Sequence, residues 1–210
     1  MKVADVMTTD VVTVHPDTTL KDVARTLSGR GISGLPVVDD EGRVLGVISE
    51  ADILAKERRP REETLRERLL HERRNGVKRE ARTAGEAMTS PAVTIAAHRW
   101  LDGAAALMLD CGINRLPVVD RAGRLVGIVT RADLVRAFAA GDERIEREIV
   151  DEVLRRELWL DPAAFEVTVH EGEVEIAGEV DSEAQAELLR SRVRLVPGVV
   201  SVAIREPAAR

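Results

Sequence analysis

The chain has 210 residues, of which 44% are hydrophobic, 32% are charged and 2% are aromatic. This composition excludes a disordered chain and is typical of one or two globular domains. The formal net charge of −6 disfavours binding to nucleic acid or anionic lipid, and the few aromatic rings disfavour stacking of successive bases. Because no apolar run approaches the roughly 18 residues of a transmembrane helix and the first residues include acids, we expect a cytoplasmic protein without a secretory signal.

An internal repeat organises the first two thirds of the sequence. At an offset of about eighty residues, VMTTDVVTV aligns without gaps with AMTSPAVTI, and GISGLPVVDDEGRVLGVISEADIL aligns with GINRLPVVDRAGRLVGIVTRADLV. So many identities at matched positions indicate that the chain holds two copies of one structural unit.

Each copy predicts the same order of elements. In the first copy, a short strand over residues 11–14 precedes an amphipathic helix with apolar residues at helical spacing. The runs LPVVD and VLGVIS then predict two buried strands joined by a turn at residues 40–42, and a second helix follows Ser49. The second copy repeats this pattern, with its first strand at 93–95 and its last helix after Thr130. Each copy thus predicts a small sheet with helices on one face, which packs against the other copy.

Between the copies, residues 58–82 form a predicted charged helical linker. Leu65 and Leu69 share one face at i,i+4 spacing, and Pro60 and Asn75 bracket the helix. The stretch is net basic, which would also suit an arm that binds nucleic acid. Its interspersed glutamates and its lack of aromatic residues favour a solvated helix instead.

The C-terminal part predicts a different unit over residues 142–206. DERIEREIVDEVLRREL places apolar residues at helical spacing, and FEVTVHEGEVEIAGEV alternates apolar and polar residues around a turn at 170–172, as in a β-hairpin with one buried face. A second helix over 182–195 and a last strand over 199–204 complete an α-β-β-α-β order. This unit holds 17 acidic residues against 8 basic ones, so the rest of the chain is slightly positive.

These patterns resemble two known families. The doubled stretch with its TV strand and LPVVD segment resembles a tandem pair of cystathionine β-synthase (CBS) domains, or Bateman module, and VTVHEGEVEIAGEV with VRLVPGVVSVAI resembles the BON domain. The resemblance implies an α/β fold of the α+β type, with two βαββα repeats packed as a pseudo-two-fold module and a small αββαβ domain after it. It places the CBS repeats at 1–57 and 83–141 and the BON-like domain at 142–206, and it implies a homodimer formed through the CBS pair.

The resemblance also implies two nucleotide sites, at Ser49 with Asp52 and at Thr130 with Asp133. Each aspartate would accept hydrogen bonds from ribose hydroxyls, and each side-chain hydroxyl, at the start of a helix, would donate to a phosphate. The implied ligand is an adenine nucleotide (AMP, ADP or ATP), or S-adenosylmethionine in its place. The same spacing is also typical of a helix capping box, and the two interpretations are compatible.

Arg115 occupies the position at which the first copy has Gly34. A guanidinium fork suits phosphate oxygens, so we predict that Arg115 joins Thr130 and Asp133 in the cleft that better holds a polyphosphate. A salt bridge at the surface or at a dimer interface is the other interpretation of this residue.

The remaining candidate residues give weaker signals. By the resemblance, Thr13 and Thr94 would line the base pocket, although strand-end packing explains either residue alone. Cys111, in the apolar segment LMLDCGI, is expected to be a buried inert thiol. The sequence has no HxxxH or HExxH spacing, no GxxxxGKS/T phosphate loop and no GxSxG elbow, so we predict no catalytic residue, no metal and no required cofactor.

The sequence therefore predicts a regulatory sensor, not an enzyme. It would bind an adenine nucleotide in the CBS pair and relay occupancy through the BON-like domain to an unidentified protein partner. Two other interpretations stay open: a ligand-free module for protein–protein assembly, and a protein that associates with phospholipid through the BON-like domain. The acidic character of that domain disfavours attraction to anionic lipid.

Overall fold

A computed structural model describes residues 1–57, 81–139 and 141–205. These residues divide into two compact units. The first, here called the hairpin unit, comprises Met7–Ala97 and Arg115–Val129. The second, here called the C-terminal unit, comprises Met1–Val6, His98–Asn114 and Thr130–Arg210.

The charged linker predicted over residues 58–82 lies, as far as residue 80, outside the described residues.

Both copies of the repeat contribute strands to the hairpin unit. The elements of the first copy are α1 Leu20–Arg30, β1 Gly34–Val38, β2 Val44–Ser49 and α2 Glu50–Glu57. The second copy begins with the short helix α3 Ala84–Ala87 and adds the strands β3 Ile95–Ala96, β4 Arg115–Val119 and β5 Leu125–Thr130. Strands β1 and β2 pair antiparallel. The strands of the second copy are ordered β3-β4-β5, with β3 parallel to β4.

Helix α1 forms where its apolar spacing predicts it. The Thr19 side chain caps its first turn by accepting a hydrogen bond from the backbone N–H of Asp22 at 3.2 Å, and Gly31, with φ of 63°, ends it in the left-handed conformation that glycine favours. Its apolar face lies in one hydrophobic core with both strands of the first hairpin. The buried members from these elements are Leu20, Val23, Leu27, Leu35, Val37 and Ile48.

The strand predicted before α1 and its counterpart in the second copy are shorter than expected. In the first copy only Val14 pairs with β1, donating to the Pro36 carbonyl at 3.2 Å and accepting from Val38 N–H at 3.0 Å. The chain then turns, with Thr18 N–H bonded to the His15 carbonyl at 3.1 Å. In the second copy the strand is reduced to Ile95–Ala96. In the first copy the predicted strand begins too early, because the Val11 N–H is used in a local turn and donates to the Thr9 carbonyl at 3.1 Å.

Each copy lends its leading segment to the hairpin of the other copy. Thr8 and Ile128 exchange two backbone hydrogen bonds of 2.9 Å, and Thr89 and Val47 exchange two of 2.9 and 3.1 Å. The residue before each threonine is a methionine, Met7 or Met88, whose side chain lies over a glycine of the hairpin that it joins. This exchange explains why a Met-Thr pair recurs in both copies.

The turns of the two hairpins are built alike. Gly42 and Gly123 have φ of 76° and 78°, and the carboxylate of Asp120 accepts from the backbone N–H groups of Ala122 and Arg124 at 2.8 and 2.9 Å. The hydrogen bond from the Arg124 backbone is the main cause that lowers the pKa of Asp120 below its ordinary value, and it prevails over desolvation. The turns also join each other, because Val44 N–H donates to the Gly123 carbonyl at 3.1 Å.

The C-terminal unit holds the remaining α-helices of the described residues and a third sheet. Its elements are α4 Leu101–Asp110, α5 Arg131–Phe138, α6 Asp142–Glu148 with a π-helical continuation Ile149–Glu157, β6 Phe165–His170, β7 Glu173–Gly178, α7 Glu183–Val193 and β8 Ser201–Arg205. The sheet order is β6-β7-β8, with β6 antiparallel and β8 parallel to β7. The predicted α-β-β-α-β order is therefore present, and the α/β fold class is confirmed.

One face of this sheet is buried under the helices. Its core is made of apolar side chains from α6 and its continuation, β7 and α7, together with Val196 after α7: Ile145, Ile149, Val153, Leu154, Val174, Ile176, Leu189, Val193 and Val196. The other face is polar and includes the exposed Glu166, Glu173 and Glu175. This alternation is what the hairpin sequence predicts.

The prediction of a buried Cys111 is wrong. Cys111 is exposed, because it is the residue that ends α4, where its N–H still bonds back to the Leu107 carbonyl at 3.1 Å. Within the described ranges, no three His, Cys, Asp or Glu side chains come together in a way that could hold a metal ion. None of the helices in those ranges is both long enough and apolar enough to cross a membrane.

Candidate functional site

The first candidate motif, Ser49 with Asp52, forms the start of α2. One carboxylate oxygen of Asp52, Oδ2, accepts from the Ser49 backbone N–H at 2.9 Å and from the Ser49 hydroxyl at 2.8 Å. Asp52 is only 9% exposed. Next to it, the backbone N–H of Glu50 donates to the Ser33 carbonyl at 3.1 Å. The segment before β1 is thus fastened to the N-terminus of α2.

The second motif, Thr130 with Asp133, has the same geometry at the start of α5. Asp133 Oδ2 accepts from the Thr130 backbone N–H at 2.8 Å and from the Thr130 hydroxyl at 2.7 Å, and Thr130 Oγ1 in turn accepts from Asp133 N–H at 3.4 Å. The other oxygen, Oδ1, accepts from the exposed Arg136 at 3.2 Å. Asp133 is 6% exposed. The Arg131 backbone N–H donates to the Asn114 carbonyl at 3.0 Å, as Glu50 does to Ser33 in the first copy.

Both motifs therefore cap helices. A hydroxyl group has a single O–H to donate, and in each motif that donor is directed at the aspartate. For either hydroxyl to donate to a phosphate, it must first leave its carboxylate. The charge beside the two helix starts also differs, because Glu50 is the first residue of α2 and Arg131 the first residue of α5.

Arg115 lies beside the first motif. Its Nη2 donates to the Ser33 hydroxyl at 2.8 Å, which puts the guanidinium at the loop that is fastened to the start of α2. Burial is the main influence on the pKa of Arg115 and lowers it, while the negative charges of Glu50 and Asp52 act to raise it. Arg115 thus places a partly buried guanidinium near two carboxylates and the N-terminus of α2.

Gly34 makes this placement of Arg115 feasible. A Cβ at position 34 would lie 2.2 Å from Arg115 Nη1 and 2.6 Å from Cζ, distances at which the guanidinium would have to move. Positions 34 and 115 are equivalent in the two copies, so a small residue in one copy accommodates a large residue in the other. The contacts of Arg115 are with the surroundings of the first motif, and its expected grouping with Thr130 and Asp133 stays a prediction.

Thr13 and Thr94 occupy matching positions before the short strands. Both are partly buried, and each precedes a residue that pairs in parallel with a strand of its own copy, Val14 with Val37 and Ile95 with Val118. Among the hydrogen bonds that build the two capping motifs, none involves either threonine. Their role at a base pocket stays a prediction.

The residue that the sequence analysis missed is Ser33. It bonds to both α2 and Arg115, yet it carries no motif of its own. The sequence feature that could have indicated Ser33 is its position directly before Gly34, which stands where the other copy has Arg115. Asn114 occupies the equivalent position in the second copy and also accepts at its carbonyl from the first residue of the following helix.

Comparison with known families assigns both parts of the chain. A model of the CBS domain matches residues 3–58 and 84–140. The chain belongs to the CBS domain family. A model of the BON domain matches residues 141–205, so the CBS pair is followed by a BON domain, which confirms the resemblance predicted from the sequence.

Several known proteins are identical to this chain at about a third of the aligned residues. The uncharacterized protein MJ1426 of Methanocaldococcus jannaschii is 33% identical over 157 residues, which cover 66% of this chain and 91% of that protein. The CBS domain-containing protein CBSX2, chloroplastic, of Arabidopsis thaliana is 33% identical over 135 residues, covering 59% of this chain and 57% of CBSX2. The inosine-5'-monophosphate dehydrogenase of Mycobacterium leprae is 35% identical over 130 residues, which cover 62% of this chain but only 21% of that enzyme. This match therefore gives no evidence of dehydrogenase activity in this chain.

Two solved structures with adenosine ligands resemble the CBS pair. The crystal structure of CBSX2 in complex with AMP has a TM-score of 0.58 and 32% identity, and the match covers 65% of this chain and 94% of that one. The CBS domain pair of protein MJ0100 in complex with 5'-methylthioadenosine and S-adenosyl-L-methionine has a TM-score of 0.52 and 28% identity, and the match covers 66% and 95%.

Proposed function

We propose that this protein is a regulatory sensor that binds an adenine nucleotide of the AMP, ADP or ATP class at the Ser/Thr-x-x-Asp motifs of its CBS pair. Occupancy is relayed through the BON domain. Adenosine is the part common to the ligands of the similar CBSX2 and MJ0100 structures, and a buried aspartate that already accepts two hydrogen bonds is suited to bind the vicinal hydroxyls of a ribose.

The observation that carries this proposal is the position of Arg115. A guanidinium has five N–H donors, and the bond to Ser33 uses one of them. Phosphate oxygens accept from such a fork in pairs, and the N-terminus of α2 beside it favours negative charge. Placing the phosphate end at Arg115 and the ribose at Asp52 engages both the guanidinium and the carboxylate near the start of α2. The preferred ligand is therefore phosphorylated, in contrast to the sulfonium S-adenosylmethionine.

Calorimetric titration of the full chain with AMP, ADP, ATP and S-adenosylmethionine tests the proposal. We expect at least one phosphorylated nucleotide to bind. Asp52→Asn should weaken that binding about 10- to 100-fold, since hydrogen bonds to a charged group contribute about 1.5–3 kcal/mol. The control is Asp110→Asn, at the exposed end of α4, which should bind as the unmodified chain does. Absence of binding heat with all four compounds to folded protein would overturn the proposal.

We further propose that the chain forms a homodimer through the CBS pair. Leu54 on α2 is 66% exposed, and Val135, at the equivalent position on α5, is 67% exposed. An exposed apolar side chain at equivalent positions of both copies is typical of a surface that another subunit covers.

The dimer is tested by light scattering after size-exclusion chromatography. The unmodified chain should have the mass of two subunits, and the double variant Leu54→Glu with Val135→Glu the mass of one, because each carboxylate would be desolvated in the interface. Leu188→Glu, at an exposed apolar residue of the BON domain, is the control and should stay dimeric. A monomeric unmodified chain would contradict this proposal.

The alternative of lipid association finds less support. The BON domain is the acidic part of the chain, and the open face of its sheet carries glutamates. These carboxylates would be repelled by anionic headgroups. We therefore do not assign a membrane role to this domain.

A further inference from the structure

Helix α5 joins the second motif to the BON domain. It begins at the cap formed by Thr130 and Asp133 and ends at Phe138, so it is about 12 Å long. At its far end, Arg144 of α6 donates from Nη2 to the Ala137 carbonyl at 2.6 Å and to the Pro197 carbonyl at 3.3 Å. One guanidinium thus ties the last turn of α5 to the loop that precedes β8.

That loop packs closely against the end of α5. Gly198 has φ of 100°, and a Cβ there would lie 3.0 Å from the Phe138 carbonyl oxygen and 2.9 Å from Ile145 Cδ1. A larger residue there would adopt a strained backbone conformation and would require the Ile145 side chain or the Phe138 carbonyl to shift. The BON domain is therefore in direct contact with the end of α5 at two points, the Arg144 bonds and the Gly198 contact.

The first turn of α6 also holds the turn of the β6–β7 hairpin. Asp142 accepts from the backbone N–H groups of Glu171 and Gly172 at 2.8 and 3.0 Å, and Val200 N–H donates to the Gly172 carbonyl at 2.8 Å. A displacement of α5 that reaches Arg144 is thereby passed to two loops of the BON domain, at residues 171–172 and 197–200.

We propose that α5 relays the occupancy of the Thr130–Asp133 motif to the BON domain, and that Arg144 is the residue that couples them. This inference rests on the proposed nucleotide sensing at that motif. The groups that would bind the ligand are the same groups that cap α5, so engagement of the Thr130 hydroxyl by a phosphate changes the first turn of the helix. Because α5 spans only about two turns, this change reaches the Ala137 carbonyl, which Arg144 holds. A ligand acts in this way only if it binds one arrangement of α5 more tightly than the other.

Hydrogen–deuterium exchange of the full chain with and without AMP tests the relay. In the unmodified protein we expect AMP to change the exchange rates of amides 171–173 and 198–200 by about fivefold or more. Arg144→Met should keep AMP affinity but lose this change. The matched control is Arg147→Met on the same helix, whose guanidinium donates to the Glu143 carbonyl at 3.2 Å; it should keep the change. An unaltered response in Arg144→Met would overturn the relay.

A second arm needs no ligand and so separates the relay from the proposed function. Asp133→Asn weakens the cap of α5 and should change the exchange rates of amides 171–173 and 198–200. The effects of mutations at independent sites add. If Arg144 couples α5 to these loops, the effects of Asp133→Asn and Arg144→Met should therefore be non-additive. The equivalent change in the first copy, Asp52→Asn, should be additive with Arg144→Met. Additive effects of Asp133→Asn and Arg144→Met would overturn the relay even if AMP binds. If AMP, ADP and ATP all fail to bind, the proposed function is wrong. The exchange rates of the two single variants and the double variant then decide by themselves whether α5 is coupled to the BON domain.

Discussion

Replacing Arg115 with alanine is expected to weaken binding of AMP about 10- to 100-fold, because charge-assisted hydrogen bonds contribute about 1.5–3 kcal/mol. Binding of adenosine, which has no phosphate, should change little. Calorimetric titration of both compounds into the variant and the unmodified chain measures the difference. The selective loss follows from the place of the guanidinium at the Ser33 loop, at the start of α2.

Two companion variants sharpen this test. Gly34→Ala leaves the charge of Arg115 in place but puts a methyl group where the guanidinium lies, so it should also weaken AMP binding. In the Arg115→Ala background, Gly34→Ala should add no further loss. The exposed Arg121→Ala serves as the control for removing one positive charge. If Arg115→Ala binds AMP as tightly as the unmodified chain, the assignment of the phosphate to this residue is wrong.

Gly127→Val is expected to lower the free energy of unfolding by about 3 kcal/mol, at the upper end of what overpacked core positions cost. Gly127 is buried, and a Cβ at this position would lie 2.6 Å from Met7 Sδ and 3.0 Å from the Thr8 carbonyl oxygen. The methionine can move, but the backbone of Thr8 is bonded to Ile128. Valine should therefore separate the exchanged segment from β5. Chemical denaturation followed by circular dichroism measures the loss.

The internal repeat supplies a second instance of this test. A Cβ at Gly46 would lie 2.5 Å from Met88 Sδ and 2.9 Å from the Thr89 carbonyl oxygen, so Gly46→Val should be destabilising to a similar degree. Gly103→Ala is the opposite control. It lies in α4 with no atom within 4 Å of its added Cβ, and it should stabilise the chain by about 0.5–1 kcal/mol. Equal stability of Gly127→Val and Gly103→Ala would contradict the exchanged-segment packing.

Local patterns allowed most of the fold to be predicted. The capping boxes, the glycine turns and the BON hairpin are each determined by a few neighbouring residues, so they can be predicted without knowledge of the tertiary structure. The duplication strengthened the interpretation of the CBS repeats, because it presented their capping boxes and glycine turns twice. The short strands before α1 and α4 were predicted to begin too early, since an apolar run does not reveal local turns such as the bond from the Val11 N–H to the Thr9 carbonyl.

The partner of Arg115 could not be predicted in the same way. A long side chain reaches across several ångströms, and its destination depends on which copy faces it. The sequence did contain one indication, because Gly34 and Arg115 occupy equivalent positions of the two copies, and the structure brings these two positions into contact. The prediction that Cys111 is buried was wrong for a related reason. Its apolar neighbours indicate a helix, but they do not show that the helix ends at this residue.

The most direct test of the central claim is a crystal structure of the full chain grown with AMP. We predict that the phosphate lies within hydrogen-bond distance of the Arg115 guanidinium and that the ribose hydroxyls donate to Asp52, with the Ser49 hydroxyl turned away from that carboxylate. AMP bound only at places away from Arg115 and Asp52, or a first motif that keeps all its capping hydrogen bonds with no nucleotide beside it, would contradict the account.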